Sequence, residues 1–122
     1  GVGSKSDVYS LGIVLLELVS GRRCVDLSAP AEDCYLPAAT IRRFQEGKLM
    51  EIVDPRLVDE VPEEDEPRKV VIVALWCIQE DPARRPAASA VSRMLEGHIQ
   101  IHEPPMASLQ SALSRQRQIW IT

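Results

Sequence analysis

The chain is poor in aromatic residues: one Phe, two Tyr and two Trp make up 4% of its 122 residues, and Trp76 and Trp120 are its only indoles. It also lacks any excess of positive charge. Fourteen Lys and Arg against 18 Asp and Glu leave a net charge of -4, so nothing drives it generally toward nucleic acid or acidic membranes. Cysteine is sparse and odd in number. Cys24, Cys34 and Cys77 are too few for a disulfide scaffold, and a reducing, intracellular compartment is the simpler expectation. No apolar run reaches the roughly 20 residues a bilayer crossing needs. The first residue is Gly1, with no charged-then-apolar signal segment, so the N-terminus is expected not to be a natural start. His98 and His102 stand four apart beside Glu103, but they complete no metal-ligand spacing and Pro104 interrupts the helix they would need. No metal site is expected, and no Ser/His/Asp arrangement suggests nucleophilic catalysis.

The hydrophobic content of 45% suits one compact domain with a moderate core. The most informative stretch is Ser6 to Gly21. From Val8 to Val19, ten of twelve positions are apolar or glycine, and Glu17 is the only charge. A helix apolar all round must be walled in on every side. Ser6 is the expected N-cap, Asp7 suits the positive helix end, and Gly21 can take the left-handed terminating conformation. Such an axis at the front of the sequence is expected to draw part of its cover from elsewhere.

From Cys24 to Leu36 the rhythm fails and a loop is expected. Pro37 opens a second helix, which carries Ile41 and Phe44 and stops at Gly47. Asp54-Pro55 marks a turn anchoring a loop by Leu49, Ile52, Val53 and Leu57. Asp59 to Glu66 holds six acids in eight positions. These read as a solvated linker favouring the next helix N-terminus, the competing reading being an acidic docking surface. Arg68 to Gln79 is a largely buried helix ending at Asp81-Pro82, with Cys77 a small core residue. Pro86 opens the last helix, with Ala87, Ala90, Val91, Met94 and Leu95 on one face and Gly97 closing it. Residues 98–122 read as a flexible or weakly docked tail. Ser108, Ser111 and Ser114 near Arg115 and Arg117 could make a phosphorylation target, but a disordered terminus is the favoured reading.

Pro82 and Pro86 stiffen the segment between the last two helices and hold Arg85 where its guanidinium could fork onto a carboxylate from another segment. The competing reading is that Arg84 and Arg85 face water.

Taken in order, these segments resemble a known family. Lys5-Ser6-Asp7-Val8-Tyr9-Ser10-Leu11-Gly12 with Leu15-Leu16-Glu17 looks like helix F of eukaryotic protein kinases. Leu49 to Leu57 looks like the linker after helix G in plant receptor-like kinases. Ala74 to Gln79, Asp81-Pro82, Arg85-Pro86 and Met94 to Gly97 are similar to helices H and I. The pattern covers about residues 3 to 105 and is closest to plant receptor-like and lectin-type receptor serine/threonine kinases.

The resemblance implies an all-α chain, a helical C-terminal-lobe fragment of the protein kinase fold, with residues 1–97 the partial kinase domain and 98–122 the tail. It implies that Asp7 accepts hydrogen bonds from the catalytic-loop backbone and that Arg85 pairs with the glutamate closing the activation segment. Leu11, Leu15 and Leu16 would support the apolar spines, and Trp76 belongs to the same structural support. The parent would transfer the ATP γ-phosphoryl to Ser or Thr with Mg²⁺, on the cytoplasmic side of a single-pass plasma membrane protein. Its first partner would be the upstream part of its own kinase domain. Helix G is a possible docking surface, although Leu36-Pro37 is followed here by Ala38-Ala39-Thr40 rather than by a tryptophan.

Phosphoryl transfer needs a glycine-rich loop, a phosphate-binding lysine, a base aspartate and metal-binding Asn and Asp. The six glycines form no such loop, and no His-Arg-Asp, Asp-Phe-Gly or Ala-Pro-Glu occurs. No catalytic, cofactor-binding or metal-binding residue is therefore expected in this chain. The alternative is a standalone helical interaction module, a degenerate kinase remnant without catalysis. Alone, the chain is expected to be marginally stable, with an exposed apolar patch and a near-neutral Arg85→Ala substitution, because its ionic partner would be missing.

Overall fold

The computed structural model describes residues 4–60, 63–107, 109–111, 113 and 115. Among these the chain is all-α, as the sequence implied. The helices are α1 (Lys5–Ser20), α2 (Leu36–Gln45), α3 (Pro55–Glu60), α4 (Asp65–Cys77) and α5 (Ala88–Glu96). Short 3₁₀ turns at Leu49–Glu51 and Pro82–Arg84 join them. The only strand-like pairing among the described residues is a single antiparallel bridge between Val25 and Tyr35, which closes the loop after α1.

The α1 helix begins two residues earlier than the sequence suggested. Ser4, not Ser6, is the N-cap, its Oγ accepting from the Asp7 amide at 3.1 Å. Gly21 ends the helix at φ 68°, as expected, and its amide donates to the Glu17 carbonyl. The α2 helix starts at Leu36, with Pro37 in its first turn. Asp54 and Pro55 do more than turn the chain: Pro55 starts α3, while the Asp54 carboxylate accepts from the Arg56 amide at 2.9 Å. The α4 helix starts at Asp65, two residues before Pro67, so Asp65 and Glu66 occupy its first turn. Pro86 is followed by extended Ala87, and α5 begins only at Ala88. Gly97 then closes it at φ 81°.

The core is assembled around α1 and α4, the most extensively contacting pair of helices. Gly12 permits their approach: a Cβ there would lie 2.7 Å from Cys77 Cβ and 2.9 Å from the Ala74 carbonyl oxygen. The main cluster joins Leu16 and Val19 of α1 to Ile41 and Phe44 of α2, Leu49 and Ile52, and Val71 and Leu75 of α4. A smaller cluster joins Val8, Val73, Cys77, Val91 and Met94, seating α5 on the α1–α4 pair.

Part of the segment expected as a tail lies against this core. Leu109 and Leu113 are 2% and 1% exposed and belong to the main cluster, and Pro104 is buried. The backbone is helical at the described positions 106, 107, 109–111, 113 and 115. Met106, Leu109 and Leu113 thus share one face, and burial of that face supplies the order that a missing cap could not. Ser108, Ser114, Arg117 and Trp120 lie outside the described residues.

Candidate functional site

Two features stand out where α1 meets the α4–α5 connection. The first is the Arg85 corner. Asp81 caps the Pro82–Arg84 turn by accepting the Ala83 amide at 2.9 Å, and the turn leaves Arg85 extended and aimed back at α1. Its Nε donates to the Gln79 carbonyl at 2.7 Å, Nη1 to the Lys5 carbonyl at 3.1 Å and Nη2 to the Glu80 carbonyl at 3.3 Å. Lys5 reciprocates, its Nζ donating to the Arg85 carbonyl at 2.6 Å. The guanidinium also stacks 4.8 Å from the centre of the Tyr9 ring.

Arg84 is exposed, whereas Arg85 is half-buried and meets carbonyls in place of the carboxylate that one sequence reading gave it. It holds three carbonyls and a ring, yet forms no ion pair among the described residues. Carbonyl oxygens take three of its donors without neutralising its charge. An open notch lined by Ser6, Tyr9, Ser10 and Arg85 lies beside it.

The second feature is the outer face of α1. Leu11 is 37% exposed, Val14 46% and Leu18 68%. Their spacing of three and four places them in one bare apolar stripe. The opposite side carries buried Val8, Gly12, Leu16 and Val19, and Leu15 is half-buried between the two. Asp7 lies exposed in the first turn, and its carboxylate accepts no hydrogen bond from the described residues. Of the support residues expected from sequence, Leu16 and half-buried Trp76 are integrated into the core. The Trp76 indole N–H donates to the His102 carbonyl at 2.7 Å. Arg85 joins the corner, while Asp7 and Leu11 point outward. At the start of α2, Leu36, Pro37, Ala39 and Thr40 are buried.

Sequence reasoning missed several tethers. Glu17 Oε2 accepts from the Cys24 amide at 2.9 Å, folding the post-α1 loop back. As the only charge in an apolar helix, it carried a signal. Tyr9 and Tyr35 share a side-chain hydrogen bond, and burial pushes the Tyr35 phenol well above its usual range. Asp33 accepts from Arg42 at 2.6 Å and from Arg43 at 3.1 Å. The Arg43 hydrogen bond, opposed by burial, holds the Asp33 carboxyl below the ordinary carboxylate range. Burial pushes the Cys77 thiol up to about 11, and burial with Glu17 does the same for Cys24, so neither is an activated nucleophile. Among the described residues no group of His, Cys, Asp and Glu could hold a metal ion, and no helix is long and apolar enough to cross a membrane.

The chain is homologous to plant receptor-like serine/threonine protein kinases. Over 107 residues it is 43% identical to the G-type lectin S-receptor-like serine/threonine-protein kinase SD2-5 of Arabidopsis thaliana, covering 88% of the chain and 13% of that relative. It is 47% identical over 112 residues to the probable receptor-like protein kinase At5g20050 of the same plant, covering 86% and 25%. The G-type lectin kinase LECRK1 of Oryza sativa subsp. indica is 39% identical over 115 residues, covering 86% and 13%. The chain thus spans between about an eighth and a quarter of these relatives' lengths. No protein-family profile matches it.

Proposed function

We propose that this chain is the non-catalytic helical platform of a plant receptor-like serine/threonine kinase domain. The parent transfers the γ-phosphoryl of ATP, with Mg²⁺, to Ser or Thr, and the phosphate-binding and catalytic groups lie in a part of the parent outside these residues. The kinase domain faces the cytoplasm beneath a membrane-spanning receptor. The observation that carries this reading is the bare stripe of Leu11, Val14 and Leu18 on the helix around which the core is built. Monomeric proteins seldom leave contiguous apolar area uncovered without a partner for it. The exposed Asp7 carboxylate and the unneutralised Arg85 cation at the same end of α1 supply polar fastenings for that partner.

A chimera tests the proposal. In the kinase domain of the SD2-5 relative, the matched segment is replaced by the corresponding residues of this chain, and autophosphorylation is measured. Retained activity, lost again on Leu11→Glu/Leu18→Glu substitution, supports the platform. A folded but inert chimera overturns it. The competing standalone module draws support from the three hydrogen bonds that Arg85 makes within the chain. That reading requires the isolated chain to be a monodisperse monomer with a sharp unfolding transition.

A further inference from the structure

The segment from Ile101 to Arg115 is tied down at both ends by polar contacts and pinned between them by apolar ones. At its start the Trp76 indole holds the His102 carbonyl at 2.7 Å, and Arg68 pairs with Glu103 at 2.8 Å. Its middle buries Pro104, Leu109 and Leu113. At its far end Arg115 Nη2 reaches both oxygens of the Glu80 carboxylate, at 3.2 and 3.1 Å. Glu80 links the two sides, because its backbone carbonyl also accepts from Arg85 Nη2. One residue is thus gripped from outside by the C-terminal segment and from inside by the corner. A cavity of about 220 Å³, lined by Gln79, Glu80, Asp81, Arg84 and Leu109, runs along the seam between them. A cavity at this seam suits a joint that can part without unmaking the core.

We infer that the described residues between 101 and 115 form an intramolecular latch holding the Arg85 corner, with Glu80 and Arg115 as its positioning residues. Docked, the latch fixes the Gln79 and Glu80 carbonyls and so orients the guanidinium toward Lys5. Undocked, it frees the corner and the first turn of α1 while the α1–α4 core stays folded. Leu109 and Leu113 supply the holding energy. The exposed Arg115–Glu80 pair supplies register and a modest part of the affinity. The coupling concerns this chain alone; its use in regulating a kinase rests on the platform reading, which the chimera tests separately.

Hydrogen exchange followed by mass spectrometry on the 122-residue chain tests the latch. Leu109→Asp/Leu113→Asp should speed exchange at least tenfold at residues 5–9 and 79–85 while residues 71–75 of α4 remain protected. Arg115→Glu or Glu80→Arg alone should speed exchange at 79–85 by about two- to fivefold, and the two together should restore the original rate within about twofold. That rescue separates ion-pair positioning from general destabilisation, and it decides the matter by itself if the leucine variant loses protection throughout α4. Acceleration confined to 101–115, or a charge swap that restores nothing, overturns the inference.

Discussion

The bare face of α1 permits a quantitative prediction. Leu11, Val14 and Leu18 together leave about one and a half side chains' worth of apolar surface in water. Fully burying one such side chain contributes about 1.5–3 kcal/mol, so covering the stripe is worth roughly 2–4 kcal/mol. The isolated chain should recover part of this by self-association and by binding the dye ANS. Replacing Val14 and Leu18 by Lys should abolish ANS fluorescence and shift sedimentation toward the monomer. Helical circular dichroism should persist, because neither side chain is buried in the core. In the kinase chimera the same pair should have the opposite consequence, removing activity by burying two unpaired charges. A wild-type chain that sediments as a monomer without binding dye would refute the reasoning, as would loss of helix in the double variant.

Further outcomes follow from single contacts. Gly12→Ala should destabilise the chain by about 1–3 kcal/mol despite the better helix propensity of alanine, since its Cβ would press on Cys77, Ile78 and the Ala74 carbonyl; urea unfolding checks the sign, and stabilisation would show that α4 yields freely. Arg85→Ala should cost about 1–2 kcal/mol in the same assay, with Arg85→Lys restoring less than half, because one ammonium cannot span three carbonyls. Asp33 has a folded pKa below its unfolded value, so its contribution is present above about pH 4 and disappears as pH falls through the folded value. Asp33→Asn should therefore lower stability at pH 7 by about 1 kcal/mol and flatten the acid limb of the stability profile. At pH 8, half-buried Cys24 should react with iodoacetamide before buried Cys34 and Cys77, and equal native rates for all three would contradict the packing.

Much of the fold was legible because it rests on local rules. The apolar run of α1, the glycine stops at Gly21 and Gly97, and the acids opening α4 follow from periodicity, backbone freedom and the helix dipole. Boundaries near proline were less legible. Pro86 can open a helix by its own geometry, yet the chain stays extended through Ala87 while Arg85 reaches across to α1. The docking of Leu109 and Leu113 was not legible for a related reason. Caps in the 98–122 segment are weak, but Leu109 and Leu113 meet a surface made by residues far earlier in the chain.

The sequence by itself determined that the chain is helical, that α1 is its axis, and that no His-Arg-Asp or Asp-Phe-Gly motif occurs in it. These are properties of composition, order and spacing, which need no knowledge of neighbours. Only the tertiary structure decided which face of α1 stays bare, which carbonyls hold Arg85, and that the Leu109–Leu113 face docks. Each depends on groups distant in sequence arriving at the same place, and an apolar residue carries no mark of whether that place will be filled.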